Sequence, residues 1–261
     1  MVFEERQRER DLILSPNEFA FISDQTKGNI NIYVGPYKAS LSNTDQPIIF
    51  NEKTKRFEKC SLESSIQTFA ISPEGWYLVL KNPAKDNSNP KTGTVNSLIE
   101  LNVGHKVNIP GPISFPLWSG QMVNVVKGHH LRSNQYLVVR VYDENAAKDN
   151  WNKAVIKTSE SSTGQPQFDI SKLKLGKHLI IKGTEVSFYI PPTGIEVVKD
   201  SKNQYIREAV TLERLEYCIL LDEDGNKRYV RGPEVVFPEP TETFIQKDGN
   251  RNYRAIELSE I

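Results

Sequence analysis

The residues that could do chemistry in this chain are few, and their spacing forms no recognisable catalytic or metal-binding set. His129 and His130 are adjacent, and neighbouring residues of a strand point to opposite faces, so one metal ion could not readily bind both. They follow Gly128 at a predicted bend, which favours an exposed turn. His105 and His178 each follow a glycine of a predicted hairpin, and this is a turn position rather than a catalytic arrangement.

The acidic and cysteine residues predict no site either. Asp222, Glu223 and Asp224 lack the spaced oxygen ligands of an EF-hand loop, and a hairpin turn accounts for them better than calcium binding does. Cys60 and Cys218 are far apart with no CxxC motif, which predicts two buried, reduced thiols in an intracellular protein. No spacing places a nucleophile beside a base. We therefore predict no catalytic residue, no metal site, no cofactor and no enzymatic activity.

Composition excludes further classes of function. The 33 basic residues balance 33 acidic ones, whereas a dedicated nucleic-acid binder usually has a basic surplus. A neutral chain also associates with itself more easily. No apolar run approaches the roughly 20 residues of a membrane helix, and residues 1–10 are charged, unlike a secretory signal. We predict a cytoplasmic protein with no membrane contact and no direct nucleic-acid site, and a solvated strand face at residues 227–231.

A pair of glycines seven positions apart recurs four times, and it organises the chain. The pairs are Gly28 and Gly35, Gly104 and Gly111, Gly176 and Gly183, and Gly225 and Gly232. The first glycine is predicted to lie in a hairpin turn and the second at a strand end, because the residues between them are strand-like. Proline follows the second glycine at Pro36, Pro112 and Pro233, and proline cannot donate to a strand ladder. An aromatic residue begins the preceding strand, at Phe19, Trp76, Tyr136 and Tyr217.

These features predict an all-β fold, a tandem array of about four small antiparallel β repeat modules that forms an extended rod. The predicted boundaries are a charged lead at 1–11, repeats at 12–60, 61–120, 121–194 and 195–245, and the start of a further, incomplete repeat at 246–261. Two polar insertions are predicted, an exposed loop at 81–97 and a longer one at 143–171 with a helix over 144–153. Modules this short cannot each bury a full core, so they must pack on neighbours in the same chain or in other copies.

The order of strand, turn, strand, Gly-Pro and strand resembles the N-terminal repeats of the major vault protein family. The resemblance covers about residues 12–261 and rests on the order of its motifs. The stretches that carry it are Leu14-Ser15-Pro16-Asn17-Glu18-Phe19 with Val34-Gly35-Pro36-Tyr37, Pro116-Leu117-Trp118-Ser119-Gly120 leading into 123–126, and Leu215-Glu216-Tyr217-Cys218-Ile219-Leu220 with Val230-Arg231-Gly232-Pro233.

The resemblance implies a structural subunit rather than an enzyme. That family builds the wall of a large hollow ribonucleoprotein barrel, in which many parallel chains stand side by side. The implied partners are other copies of this chain in a lateral homo-oligomer, with any internal cargo unidentified. In the family a shoulder domain and a long coiled-coil helix follow the repeats, and no heptad pattern occurs here. We expect either the N-terminal piece of a longer protein or a shortened relative.

Two other functions stay open at the level of the sequence. An extended monomeric rod could present loops 81–97 and 143–171 to a protein or glycan partner, since loops on a rigid scaffold commonly carry binding sites. A virion structural component is the second alternative, because β-repeat chains also serve there.

Overall fold

The fold is all-β and is built from small antiparallel sheets, as the sequence predicts. The computed structural model describes residues 10–51, 53–158, 173–247 and 249–254, and within these ranges the strands form eight sheets. The chain divides into two compact units, Met1–Lys127 and Gly128–Ile261. No helix in the described ranges is both long enough and apolar enough to cross a membrane.

The first unit contains two hairpins with their accompanying strands. The strands of the first are β1 Asp11–Leu14, β2 Glu18–Asp24, β3 Asn29–Val34, β4 Tyr37–Ser40, β5 Asp45–Asn51, β6 Arg56–Lys59 and β7 Ile66–Thr68, with a one-turn helix α1 at Leu62–Ser65. The strands of the second are β8 Ala70–Ser72, β9 Trp76–Lys81, β10 Thr94–Asn96, β11 Lys106–Pro110, β12 Ile113–Phe115 and β13 Met122–Lys127.

The second unit also contains two hairpins. The third hairpin comprises β14 His129–His130, β15 Gln135–Val141, helix α2 Glu144–Asn150, a 3-10 turn at Trp151–Lys153, β16 Val155–Thr158, β17 His178–Lys182, β18 Val186–Ile190, β19 Ile195–Val197 and β20 Ile206–Glu208. The fourth comprises β21 Val210–Leu212, β22 Glu216–Leu221, β23 Lys227–Arg231, β24 Glu234–Val236, β25 Thr243–Phe244 and β26 Asn252–Arg254.

One pairing scheme describes all four hairpins. A central strand pairs with a return strand, in β2–β3, β9–β11, β15–β17 and β22–β23. A flanking pair joins the short strands on either side of the hairpin, in β1–β4, β8–β12, β14–β18 and β21–β24. Later strands take the other side of the central strand, namely β5 and β7, β13, β19 and β20, and β25 and β26.

The flanking pair explains why a central strand reads as an apolar run. In β2, Phe19 and Phe21 belong to one hydrophobic cluster, whereas Ala20 and Ile22 belong to another together with Leu12 of β1. Side chains alternate between the two faces of a strand, so β2 is buried on both faces. The flanking strands supply the cover on the second face.

The two units distribute their cores differently. In the first unit, the cluster around Phe19 also contains Phe69 and Trp118 and so joins the two hairpins, while Leu78 of the second hairpin belongs to a smaller separate cluster. In the second unit, one cluster surrounds Leu137 of the third hairpin and a separate one surrounds Leu220 of the fourth.

The predicted exposed loop at 81–97 is wrong at its C-terminal end. Thr94–Asn96 forms strand β10, which pairs with the outer edge of β3. The Asn96 side chain accepts from the Lys91 backbone N–H at 2.9 Å and donates to its carbonyl at 3.0 Å. Trp118 Nε1 donates to the Ser88 carbonyl at 2.8 Å. The polar composition of this segment concealed a strand that is completed by a partner distant in sequence.

The other predictions about connecting segments have mixed outcomes. The helix predicted over 144–153 is confirmed as α2 and the 3-10 turn that follows it, with Asp143 capping the Ala146 N–H at 3.0 Å. Most of the predicted lead, residues 1–9, and residues 159–172 of the second insertion lie outside the described residues. Within the predicted further repeat, Asn252–Arg254 pairs back onto β22, and residues 255–261 lie outside the described ranges.

Candidate functional site

The second glycine of each pair makes the same close backbone contact in every hairpin. Its N–H donates to the carbonyl of the first residue of the central strand: Gly35 to Glu18 at 2.8 Å, Gly111 to Trp76 at 2.8 Å, Gly183 to Gln135 at 2.8 Å and Gly232 to Glu216 at 2.9 Å. A Cβ at these positions would lie between 1.8 and 2.1 Å from a backbone carbonyl oxygen of the turn before the central strand. Glycine is therefore required at these strand ends by the close approach of two backbone segments.

The first glycine of each pair is a turn residue, as predicted. Gly28, Gly104, Gly176 and Gly225 have φ between 72° and 88°, and a Cβ there would meet nothing within 4 Å. The peptide bonds to Pro36, Pro112 and Pro233 are cis, and Gly183 is followed by Thr184 instead.

Three of the four predicted aromatic residues occupy equivalent places, and Trp76 is offset by one residue. Phe19, Tyr136 and Tyr217 each lie opposite the residue before the strand-end glycine. In the second hairpin that place belongs to Tyr77, which lies opposite Pro110 and is 3% exposed, while Trp76 is 37% exposed.

The offset arises in the turn before the central strand. The Glu18 N–H donates to the Ser15 carbonyl, whereas the Trp76 N–H donates to the Pro73 carbonyl. Pro73 is therefore the counterpart of Ser15, and matching the two Ser-Pro dipeptides shifts the second hairpin by one residue. Neighbouring residues on a strand face opposite sides, so the shift exchanges a buried ring for an exposed one.

The histidine pair lies in a strand, so the predicted exposed turn is wrong. His129 and His130 form β14, and their side chains differ in burial, as opposite faces require. His129 is 3% exposed, its ring lies 4.9 Å from that of Tyr205, and burial lowers the pKa of His129 to about 4. His130 is exposed, with its ring 4.7 Å from that of Phe188.

The acidic run forms a hairpin turn, as predicted, whereas only one of the two cysteines is buried. Asp222 closes the β22–β23 hairpin: Asn226 donates its side-chain N–H and its backbone N–H to the Asp222 carboxylate, which lowers the pKa of Asp222. Both cysteines are free, with Cys60 half-buried and Cys218 buried, and burial raises the pKa of both thiols. No group of three or more potential metal ligands occurs among the described residues.

Three of the four return strands have an open outer edge. In the described part of the chain, β11, β17 and β23 pair only with their own central strands, whereas β10 covers the outer edge of β3. Strand β23 is exposed along most of its length, which confirms the predicted solvated face, and Tyr229 is 63% exposed. Unpaired N–H and C=O groups on such an edge can pair with another chain.

Exposed isoleucines recur at one position of the flanking strands in the first unit. Ile13 in β1 is 59% exposed and Ile71 in β8 is 51% exposed, each at an outward-facing position of the flanking strand. The corresponding residue of β21 in the fourth hairpin is the exposed Thr211. The first unit thus presents two apolar side chains where the fourth hairpin presents a hydroxyl.

An apolar hollow of about 430 Å³ lies in the first unit between the first and second hairpins. We define this apolar hollow by its lining of Phe19, Phe21, Phe50, Phe69, Leu117 and Val123. Gln67, the cross-strand partner of Phe19, also lines it, and Gln67 Nε2 is buried with no partner.

A larger hollow of about 1070 Å³ lies within the second unit, between the third and fourth hairpins. We call it the basic cleft and define it by Tyr136, Lys199, Lys202, Arg207, Phe244 and Arg251. Arg207 is the cross-strand partner of Tyr136, as Gln67 is of Phe19. The two hollows therefore occupy corresponding places, one in each unit.

The glycines and aromatic residues singled out from the sequence stay within their own hairpins and do not converge on one site. Phe19 lines the apolar hollow and Tyr136 lines the basic cleft. The cationic residues of the cleft were missed, because no motif or spacing connects residues 199–207 with residue 251. Comparison with protein-family models and with characterised proteins gives no match to this chain.

Proposed function

We propose that this chain is a non-enzymatic structural subunit whose β hairpins associate side by side with other copies to build the wall of a large hollow particle or ring in the cytoplasm. In this proposal the hairpins are tandem repeats arranged as an extended rod. The observation that carries it is the common pairing scheme of the four hairpins, together with open outer edges on three return strands among the described residues. The resemblance to the N-terminal repeats of the major vault protein family supports the same function.

The exposed surface supplies a physical basis for lateral association. Burying apolar area contributes about 25 cal/mol per Å², and Ile13 and Ile71 are exposed large apolar side chains on flanking strands. Main-chain pairing along the open edges would add register, since each edge carries a regular row of donors and acceptors. The zero formal net charge at pH 7 leaves little overall repulsion between copies.

The test is the oligomeric state of the intact chain. Size-exclusion chromatography with light scattering and negative-stain imaging should show concentration-dependent oligomers of ring or sheet form. The Ile13→Lys, Ile71→Lys double variant should shift the mass toward that of one chain, because each lysine places a charge in the contact. Thr211→Lys is the matched control and should leave the distribution unchanged, since that position is already polar.

A chain that stays strictly monomeric at high concentration would contradict the proposal. Discrete monomers that capture a defined protein or glycan through the 143–171 loop would support the alternative of an extended binding module. The 81–97 segment is a weaker candidate for such a role, because its strand β10 is packed along β3.

A further inference from the structure

Among the described residues, the basic cleft of the second unit has a surplus of positive charge. Its described lining holds four cationic side chains, Lys199, Lys202, Arg207 and Arg251, against three carboxylates, Asp200, Glu208 and Glu242. Glu242 is neutralised by Arg228, which donates to it from Nε at 2.7 Å and from Nη2 at 2.5 Å and holds the pKa of Glu242 below its ordinary value. In this described lining, four cations against the two remaining carboxylates leave a net charge of +2.

The two remaining carboxylates do not pair with the arginines of the cleft. Asp200 Oδ1 accepts the backbone N–H groups of Lys202 at 2.9 Å and Gln204 at 2.8 Å, so this carboxylate holds the turn. Glu208 is exposed, and only its backbone carbonyl contacts Arg251.

Both arginines have hydrogen-bonding capacity to spare. Arg207 Nε is buried with no partner, and Arg207 Nη2 lies 3.5 Å from the carbonyls of Val198 and Lys199. Arg251 Nη1 donates to the Glu208 carbonyl at 3.2 Å, and its guanidinium lies 5.8 Å from the centre of the Phe244 ring. Neither arginine forms an ion pair with a described residue. A buried donor without a partner calls for an acceptor that the chain itself does not supply.

The two guanidinium groups act on the same part of the cleft. Burial raises the pKa of Tyr136, and the charges of Arg207 and Arg251 both oppose that rise. Tyr136 is also the cross-strand partner of Arg207. The Glu208 carbonyl to which Arg251 Nη1 donates belongs to the residue after Arg207, so both arginines border the same part of the cleft.

We infer that the basic cleft binds a small ligand that bears a phosphate group. The guanidinium fork matches phosphate oxygens in a bidentate arrangement, and a phosphate monoester carries about −1.5 to −2 charges at pH 7, which matches the surplus of the cleft. The volume of about 1070 Å³ is ample for a ligand with a body beyond the phosphate. This site is independent of the proposed assembly, because its argument uses neither the strand edges nor the exposed isoleucines.

The experiment is a titration of the full chain with inorganic phosphate, and with acetate at matched ionic strength. The arginine Nε–Hε signals are followed by nuclear magnetic resonance. Phosphate should shift the Arg207 and Arg251 signals saturably, with an affinity at least about tenfold above that of acetate, or about 1.4 kcal/mol. Arg207→Gln and Arg251→Gln should each weaken phosphate binding by about tenfold or more, because each removes one fork.

Arg214→Gln is the matched control, since Arg214 is an exposed arginine of the same unit outside the cleft lining. It should leave phosphate affinity unchanged, and an equal loss in this variant would reduce the effect to diffuse electrostatics and overturn the inference. Equal binding of acetate, or no saturable shift, would overturn it as well. Arg207→Lys keeps the charge and replaces Arg207→Gln if that variant fails to reach the wild-type melting temperature; it should lose affinity because the fork is gone.

Discussion

The two hollows occupy corresponding places in the two units, yet one is apolar and the other is basic. In the first unit Phe19 faces Gln67 across the strand pair, and four phenylalanines line a space of about 430 Å³. In the second unit Tyr136 faces Arg207, and cationic side chains line a space of about 1070 Å³. One pairing scheme thus supports a smaller apolar hollow in one unit and a larger polar cleft in the other.

This difference shows that one set of residues fixes the backbone of the hairpins and another set determines which side chains line the hollow. The strand-end glycines and turn glycines recur in both units and fix the hairpins. The character of the hollow depends on the residue opposite the aromatic side chain, Gln67 in the first unit and Arg207 in the second. It also depends on the residues that the later hairpin of each unit contributes to the lining. Four predictions break or sharpen this comparison.

Replacing the aromatic residue should lower the free energy of unfolding most in the first unit, where the hollow is apolar. Phe19→Ala should lower the free energy of unfolding by about 4 kcal/mol, because a fully buried ring leaves a cavity. Tyr136→Ala should cost less, about 2 kcal/mol, because this ring is also buried but water can occupy the space it leaves beside the polar cleft. Urea unfolding followed by tryptophan fluorescence measures both, with Trp118 in the first unit and Trp151 in the second. Equal losses of unfolding free energy would mean that the packing around the apolar hollow and the basic cleft does not differ.

Adding a methyl group to a strand-end glycine should cost the same in both units. Gly35→Ala and Gly183→Ala should each lose about 3 kcal/mol, because the new Cβ would overlap a backbone carbonyl that cannot move away as a flexible side chain would. Gly28→Ala is the control within the same hairpin, and it should lose about 1 kcal/mol, the cost of a left-handed conformation without a clash. Equal denaturation midpoints for Gly35→Ala and Gly28→Ala would refute the close-approach explanation.

Acid should weaken the second unit through His129. Its pKa in the folded state is about 4, below the ordinary value of 6.5, so the unfolded chain binds the extra proton between these values. The contribution of the neutral His129 to the free energy of unfolding is therefore fully present above about pH 6.5 and is lost as the pH falls towards 4. The loss between pH 7 and pH 5 is about 2 kcal/mol. Urea unfolding at the two pH values measures the loss.

The matched variants isolate the contribution of His129 from that of carboxylates. His129→Leu should remove about 2 kcal/mol of the pH dependence, while His130→Leu should retain it because His130 is exposed. If both variants lose stability with acid as the wild type does, the acid sensitivity belongs to other groups.

Uncovering the edge of β3 should have the smallest effect on stability. Asn96→Ala removes the two hydrogen bonds to the Lys91 backbone and should cost about 1 kcal/mol. Its clearer signature is hydrogen exchange: the β3 amides that pair with β10 should exchange faster, at rates closer to those expected of the unpaired outer edge of β23. Lys91→Ala keeps the backbone partners of Asn96 and is the control. Unchanged exchange in β3 would show that β10 is held by other contacts.

Much of the architecture could be predicted from local signals. Glycine, proline and alternating apolar residues identify hairpins because they report backbone conformation and burial at the residue itself. The close approach at Gly35 could not be predicted, since it depends on where the Ser15 carbonyl lies in space. Strand β10 was missed because a polar segment becomes a strand only through its partner β3.

The lining of the two hollows could not be predicted from the sequence for the same reason. Arg207 and Arg251 are brought to one cleft by the pairing of β20 and β26 with two different central strands. Trp76 shows the opposite case, in which a local motif was read correctly but aligned one residue out. When a repeat contains insertions, corresponding positions are best matched through the backbone contacts that they share, and not by counting residues.

The hydrogen bond from each strand-end glycine ties the end of a hairpin to its beginning, so the connection at the far end can differ in length between hairpins. The first and fourth hairpins turn through residues 25–28 and 222–226, whereas residues 82–105 and 142–177 intervene in the second and third. Closing a longer loop adds entropy cost only logarithmically. The exposed turn at Val103 and Gly104 is therefore a suitable site for inserting a fluorescent or affinity-tagged domain, whereas β10 and α2 pack on their units and are not.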